Sequence, residues 1–264
     1  MGSATREALV AAKDALASVA DKGSLTTGAE LFQAGRVLGG SAQLRSVLAD
    51  PAAAAKDKIA VVGSVFSSLS VSGRTVLSAI VSARWSDADD LLAGIEEIAI
   101  RSVAKSAPAS LAIENELFAF GAIVSSSAEL ELAVGSKLGA AESKSTLIHE
   151  LLNGKASEQT VVIIDHLVQQ PRGRRIGELI STAADIVADQ AGQSVATITT
   201  AAPLTAAQLD RLRVGLTKNY GRELNLNVRI DPALIGGVRV QIGDEVIDGS
   251  VSTKLNDLRI QLAG

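Results

Sequence analysis

The chain contains no cysteine, which excludes disulfide bonds and any mechanism that needs a thiolate. Aromatic residues are scarce as well, at 2% of the 264 residues, whereas 47% of the residues are hydrophobic. The core must therefore consist of alanine, leucine, valine and isoleucine. Because small and aliphatic side chains let helices approach one another closely, this composition favours helical bundles.

Long apolar runs are missing too. No stretch approaches the roughly 20 apolar residues that cross a bilayer, and the N-terminus lacks the basic and then apolar order of a signal peptide. We therefore expect a cytosolic chain whose association with any membrane is indirect. The formal net charge of −4 gives no indication of nucleic-acid binding. At roughly 150 residues per domain, the length predicts two domains or three small ones.

The motifs of common enzyme sites do not occur. The sequence has no Gly-x-x-x-x-Gly-Lys-Ser/Thr phosphate loop, no Gly-x-Gly-x-x-Gly turn and no Gly-x-Ser-x-Gly elbow. The two histidines, His149 and His166, fall on separate predicted helices, and we interpret each as a surface or partly buried polar residue. No metal-ligand spacing surrounds them. We therefore predict no catalytic residue, no metal site and no cofactor.

Two charged clusters need an interpretation. The basic cluster Arg172-Gly173-Arg174-Arg175 is interpreted as a solvated loop between two helices, with a contact to an anion or an acidic partner as the alternative. The acidic cluster is placed at a helix start, where negative charge is stabilised by the helix dipole. Its members are Asp87, Asp89, Asp90, Glu96 and Glu97.

Apolar residues recur at helical spacing through the first 190 residues. Six helices joined by short connections are predicted before Pro108, which indicates a compact bundle. Asp50-Pro51 predicts a helix with Pro51 at its first position, and Asp87 predicts the cap of a long helix.

The helical layout is repeated with an offset of 86 residues, for example from Phe32, Gly35 and Lys58 to Phe118, Gly121 and Lys144. We interpret the repeat as a duplication, with a chance alignment of two alanine-rich regions as the alternative. The predicted domains are a helical bundle at 1–107, a second bundle at 108–192 and a C-terminal α/β domain at 193–264. If the second bundle instead begins near residue 87, the two bundles share the helix that starts there.

After Gly192 the pattern alternates with a period of two residues, which is typical of strands. Ala196 and Ile198 face one way in the first strand, and Thr205 starts a helix that ends at Tyr220-Gly221. The predicted class is α+β and mostly α. It comprises two tandem bundles of about six helices each, then a small αβ region with a short sheet and a terminal helix.

The residues from Val228 to Ser250 predict a strand, a corner at Pro232, a second strand, a tight turn and a short third strand. Gly236 and Gly237 can adopt the positive φ that a sharp bend or bulge requires. Asp248-Gly249-Ser250 then predicts a turn that leads into the terminal helix.

This stretch closely resembles the signature of the delta subunit of F-type ATP synthases, which is called the oligomycin-sensitivity-conferring protein in mitochondria. The upstream segment from Thr200 to Leu204 is similar to the family as well. The usual delta subunit has one six-helix bundle before its signature, and this chain departs from that pattern by one extra bundle. The matching signature residues are Ile230, Asp231, Pro232, Leu234, Ile235, Gly236, Gly237, Val240, Ile242, Gly243, Asp244, Asp248, Gly249 and Ser250.

The resemblance implies a non-catalytic stator subunit of the peripheral stalk, which couples hydrogen ion transport to ATP synthesis. It implies a location on the cytoplasmic face of the cell membrane, without direct insertion, and no nucleotide of its own. In this family the bundle receives N-terminal helices of alpha subunits and the C-terminal region holds the b subunit. The alternative is a small-molecule-binding or enzymatic α+β protein with its site between the bundle and the strand region.

The family's groove for the alpha-subunit helix lies between the first and fifth helices of the bundle. An exposed apolar groove needs an amphipathic helix to cover it. In this chain the resemblance places that groove at Leu9, Ala12, Leu16, Val76, Leu77, Ile80 and Val81. The repeat adds a second candidate groove whose fifth-helix residues are Val161, Val162, Ile164 and Leu167.

Overall fold

A computed structural model describes residues 2–19, 24–108, 110–135, 139–192, 194–221, 224–231, 234, 236–242 and 245–249. Its backbone contacts divide the chain into two units, Met1–Val187 and Ala188–Gly264. The described residues form twelve helices and a four-stranded mixed sheet, so the predicted mostly helical class with a small C-terminal sheet is confirmed. The predicted terminal helix from Ser250 to about Leu262 lies outside the described residues.

The first unit is helical throughout its described residues, and its connections are short, as expected for a bundle. Its first six helices agree with the six that the sequence predicts. The helices are α1 (Ser3–Ser18), α2 (Leu25–Gly40), α3 (Ala42–Ala49), α4 (Ala55–Val65), α5 (Val71–Ser82), α6 (Ala88–Ser106), α7 (Ile113–Ser126), α8 (Ala128–Gly135), α9 (Ala141–Leu152), α10 (Glu158–Gln169) and α11 (Ile176–Gln190).

Side-chain caps mark the starts of five helices in this unit, namely α2, α3, α5, α6 and α10. The predicted Asp87 cap is present, since its Oδ1 accepts from the Asp90 backbone N–H at 2.7 Å. The predicted helix is present as α4, but its predicted start at Pro51 is wrong. Asp50 Oδ1 instead accepts from Ala52 N–H at 2.8 Å, which forms a local turn, and the helix begins only at Ala55.

The helix order of α2 to α6 recurs in α7 to α11. Glu30 on α2 accepts from the backbone N–H and the hydroxyl of Ser70, the N-cap of α5, at 2.8 and 2.7 Å. Glu116 on α7 accepts from the same two groups of Ser157, the N-cap of α10, at 3.0 and 2.6 Å. Two pairs of helices are thus joined by the same non-local hydrogen bonds.

The core has few aromatic side chains to fill space, and its helices pack closely instead. A Cβ at Gly28 on α2 would lie 3.0 Å from the Ala99 carbonyl oxygen of α6 and would collide with Val103. Only glycine therefore allows α2 to lie so near α6. Phe32 is one of the few large aromatic side chains available, and it is buried at the same interface.

The second unit is a four-stranded sheet with one helix beside it. The strand order is β2-β1-β3-β4, with β1 parallel to β2 and the other two pairings antiparallel. Helix α12 connects the parallel strands, begins after the predicted cap Thr205 and ends at Gly221, whose φ is +66°. The elements are β1 (Ser194–Thr200), α12 (Ala206–Tyr220), β2 (Leu224–Ile230), β3 (Val238–Ile242) and β4 (Glu245–Asp248).

One face of this sheet is its core. Ala196, Ile198 and Thr200 of β1 are buried, as the alternating pattern predicts. Val240 and Ile242 of β3 pack with them, and Leu216 of α12 belongs to the same cluster. The order of strand, helix, strand, strand and short strand is the one predicted from the sequence.

The described signature residues Asp231, Leu234, Gly236 and Gly237 lie in the connection between β2 and β3. Asp231 N–H donates to the Thr200 carbonyl at 2.8 Å, and Leu234 N–H donates to the Asp231 carbonyl at 3.1 Å. Gly236 and Gly237 have φ of +117° and +85°, which confirms the predicted positive values. Pro232, Ile235, Gly243, Asp244 and Ser250 lie outside the described residues.

We expect Gly236→Ala to destabilise the second unit by roughly 1–3 kcal/mol, because a Cβ strains backbone with positive φ. The matched control is Gly215→Ala in α12, where a Cβ meets open space and alanine is the better helix former. Urea unfolding should be followed by fluorescence of the single tyrosine, Tyr220, which lies in this unit. Equal midpoints for both variants would contradict the proposed strain.

Candidate functional site

A cleft between α1 and the end of α5 has a volume of about 520 Å³. We call it the first groove. Its apolar lining includes Ala4, Ala8 and Ala11 from α1 and Ala83 and Trp85 from the end of α5, and Glu7 and Arg84 add charge at the cleft. Ala11 is exposed and Ala4 is half-buried, so these small side chains are accessible. An apolar trough with a few polar groups suits the apolar face of an amphipathic helix.

Most predicted groove residues lie beneath this cleft rather than on its surface. Helices α1 and α5 pack against each other, and their predicted residues face inward. The first set is buried in the hydrophobic core: Leu9, Ala12, Leu16, Val76, Leu77, Ile80 and Val81. Of the second set, Ile164 and Leu167 are buried and Val161 and Val162 are half-buried. The accessible residues are instead neighbouring alanines, which are not among the predicted groove residues.

A buried ionic cluster lies elsewhere in the first unit, where α6 meets α10 and the loop after it. Arg174 donates to both carboxylate oxygens of Glu96, at 2.9 and 2.8 Å, and Arg172 is 3.0 Å from the same carboxylate. The Glu96 side chain is only 8% exposed. A fork of two parallel hydrogen bonds is the strongest arrangement for an arginine and a carboxylate.

His166 completes this cluster. Its Nε2 is 3.5 Å from Glu96 Oε2, at the outer limit of a hydrogen bond, and its Nδ1 is 3.3 Å from Arg36 Nη1. Its ring stacks on Phe32 of α2, with ring centroids 4.1 Å apart. Three helices, α2, α6 and α10, therefore meet at one polar centre.

The cluster shifts the pKa values of its acidic and basic groups. Burial alone would raise the pKa of Glu96, but the bonds from His166 and Arg174 and the nearby arginine charges outweigh burial and lower the pKa to about 2. Burial lowers the pKa of His166 against the opposing pull of Glu96, and Arg36 and Arg172 add to the lowering. The carboxylate is therefore ionised and the imidazole neutral at pH 7.

These residues correct three interpretations of the sequence. Glu96 lies in the interior of α6 and is buried, not at the helix start. Arg172 and Arg174 do lie in a loop between helices, but they turn inward to Glu96 and are not solvated. His166 is fully buried, whereas His149 is exposed as expected. No signal in the sequence linked the arginine-rich loop to Glu96, because this carboxylate was grouped with the charges at the helix start.

The described residues contain no group of three metal-ligating side chains. No single helix among them is long and apolar enough to cross a membrane. Only the α7–α8 pair, bent by 111°, passes that test by combined length and composition. The described part of the chain has an open cleft and a buried ionic centre, and these residues show no assembled catalytic constellation.

Comparison with known proteins decides the family. The model of the ATP synthase delta (OSCP) subunit family matches residues 98–262. The chain belongs to this family. It is 52% identical to the ATP synthase subunit delta of Leifsonia xyli subsp. xyli over 264 residues, which cover 100% of both chains. It is 37% identical to that of Streptomyces avermitilis over 98% of each chain.

A chain of the Toxoplasma gondii mitochondrial ATP synthase hexamer is also similar, at 22% identity and a TM-score of 0.43, over 64% of this chain and 96% of its own. As a member of the delta subunit family, this chain is a non-catalytic component of the peripheral stalk of the F-type ATP synthase. It takes part in ATP synthesis and proton transport as a structural subunit of that complex.

We expect Glu96→Gln to destabilise the first unit by roughly 3–5 kcal/mol, because it leaves two arginines without their buried counter-charge. Lys13→Gln removes a pair with Glu97 at the surface of the same unit, where the Lys13 side chain is 41% exposed, and is the control, with an expected loss of about 0–1 kcal/mol. Fluorescence of the single tryptophan, Trp85, reports unfolding of the first unit. Similar small losses in both variants would show that the cluster contributes little.

The buried neutral histidine predicts a pH dependence with a definite sign. Unfolded His166 takes up a proton near its ordinary pKa of about 6.5, whereas the folded form, with its lowered pKa, does not. At this residue the unfolded state therefore binds more protons, and the contribution of His166 to folding stability falls by up to about 1.4 kcal/mol per pH unit as the pH drops from 6.5 towards the folded pKa. Burial raises the pKa of Asp185 to about 6, so that carboxyl contributes with the opposite sign, and only the difference between variant and native chain isolates His166.

We expect His166→Gln to reduce the number of protons that the chain takes up on unfolding by about one, as measured from the pH dependence of urea unfolding between pH 7.5 and 5.5. His149→Gln, at a side chain that is 59% exposed, is the control and should keep the native slope. Glu96 does not interfere, because its stabilising ionisation is lost only as the pH falls below about 4.5. An unchanged slope in the His166 variant would contradict the assignment.

Proposed function

We propose that the first groove binds the N-terminal helix of an alpha subunit, so that the first unit attaches the peripheral stalk to the catalytic head. The observation that supports this most directly is the open cleft over Ala8, Ala11 and Ala83. Alanines permit a close approach of a partner backbone, and the flanking Glu7 and Arg84 can fix its register. The family resemblance supplies the identity of the partner.

The second unit is the proposed attachment point of the b subunit. The sheet exposes Ile230, Val246 and Ile247, which lie on β2 and β4, the two edge strands. Exposed apolar side chains on edge strands are a natural surface for a partner. With both contacts made, the chain would hold the head to the stalk on the cytoplasmic face of the membrane and resist the torque of the rotor.

An internal duplication accounts for the length of the chain. Two repeated capping bonds support it, as does the burial of Lys58 and Lys144 at positions 86 residues apart. The family model starts at residue 98, inside α6. The family bundle would then comprise the later part of α6 and α7 to α11, with α1 to α5 as the addition and α6 shared between both copies.

The proposal predicts that Ala11→Glu weakens binding of a synthetic alpha N-terminal peptide by about tenfold or more, which is at least about 1.4 kcal/mol. Ala11 is the test position because a charge at a buried groove residue, such as Ala12 or Val76, would disrupt the core. The control is Ala60→Glu, at an exposed alanine of α4 outside the groove.

Isothermal titration calorimetry measures the affinity, and Trp85 fluorescence reports where the peptide binds, because Trp85 lines the groove. Equal affinity for both glutamate variants would place the partner helix elsewhere. No binding by the native chain would reject the alpha-subunit contact in this form. For the second unit, co-purification with the b subunit that survives Ile230→Glu and Val246→Glu together would exclude this sheet surface.

A further inference from the structure

The structure contains a second groove, between α6 and α10, that corresponds to the first. Helix α5 begins at the Ser70 cap bound by Glu30, and α10 begins at the Ser157 cap bound by Glu116. The C-caps correspond as well, since Ala83 ends α5 and Gln170 ends α10. As α1 packs on α5, so α6 packs on α10.

The second groove is not empty. Helix α2 of the same chain lies over it and contacts both of its walls. Gly35 of α2 faces both at once, since a Cβ placed there would lie 3.5 Å from Ile95 of α6 and 3.8 Å from Gln170. Gln170 also donates to the Gly35 carbonyl at 3.1 Å. In the first groove the corresponding C-cap, Ala83, faces an open cleft.

The occupying face of α2 has the spacing of a helical ligand. Phe32 stacks on His166, Arg36 meets the same ring, and Gly35 and Gly39 lie against Gln170. Positions i, i+3, i+4 and i+7 share one face of a helix. The groove beyond Gly39 continues as a cavity of about 710 Å³ that is lined by charged side chains, including Arg45, Asp89 and Arg172.

We propose that α2 is a built-in occupant of the second groove, so that the chain offers one open groove to a partner helix rather than two. The number of partner helices that the chain binds rests on the proposed function. The packing of α2 in the second groove does not. A helix suited to the first groove would carry small residues four apart on its apolar face, as Gly35 and Gly39 do on α2.

A disulfide test is available because the native chain has no cysteine. Gly39→Cys and Gln170→Cys together place two thiols on the two sides of this contact, where the end of the Gln170 side chain now fills the space that a side chain on residue 39 would take. We expect the folded monomer to form the crosslink on oxidation, while each single variant remains reduced and monomeric. Absence of the crosslink in the folded double variant would overturn the proposal.

The crosslinked chain then tests the count of sites. We expect an alpha N-terminal peptide to bind at one per chain before and after oxidation, with affinity unchanged within about twofold and Trp85 fluorescence saturating at the same ratio. Two peptides per chain before oxidation and one after it would overturn the proposal, because α2 would then vacate the second groove. No peptide binding with an efficient crosslink would refute only the alpha contact.

A measurement on the native chain covers the case in which the double variant does not fold. Hydrogen exchange should protect residues 25–40 as strongly as 88–106 and 158–169, because a permanent occupant opens only together with its groove. Exchange of 25–40 at least about tenfold faster than that of the groove helices would show that α2 leaves, and would overturn the proposal.

Discussion

The bond between Glu96 and the two arginines of the following loop holds three helices in fixed positions. Two charges of this kind are costly to remove from water, so their arrangement tolerates little displacement. With Glu96 fixed, His166 is confined between that carboxylate and Arg36, and the Phe32 ring can stack on it. Helix α2 is thereby oriented on α6 and α10. The proposed occupation of the second groove by α2 depends on that orientation.

The shortage of aromatics explains how the rest of the unit packs. Where few large side chains fill space, helices must approach until their backbones nearly touch, and Gly28 permits this on α2. The same preference for small side chains places alanines along the cleft between α1 and α5. One compositional property therefore produces both the tight internal interface and an open groove of similar character.

Local features of the fold could be predicted from the sequence, because they depend on neighbours in the chain. The Asp87 and Thr205 caps, the αβ order and the positive φ of Gly236 belong to this class. Asp50-Pro51 failed because two local preferences competed, and the side-chain turn prevailed over the helix start. Distinguishing them requires the energy of the whole loop.

The ionic cluster could not be predicted in this way, because Arg174 and Glu96 are 78 residues apart. On a single sequence each charge is indistinguishable from a solvated one. The groove between α1 and α5 stays a prediction of the family resemblance, and the residues named for it are buried in the core. A helical pattern identifies the apolar face and gives no measure of how much of that face the chain itself covers. Trp85 and Ala11 were missed for that reason.

The continuity of α6 has a mechanical consequence. The helix runs without a break from Ala88 to Ser106, about 28 Å at 1.5 Å per residue, and it packs against α1, α2 and α5 as well as α10. A load applied to one half of the helical unit would reach the other through uninterrupted backbone. Under load, this unit would therefore deform as a helix does when it is stretched or twisted. It would not bend at a loop between two hinged bodies.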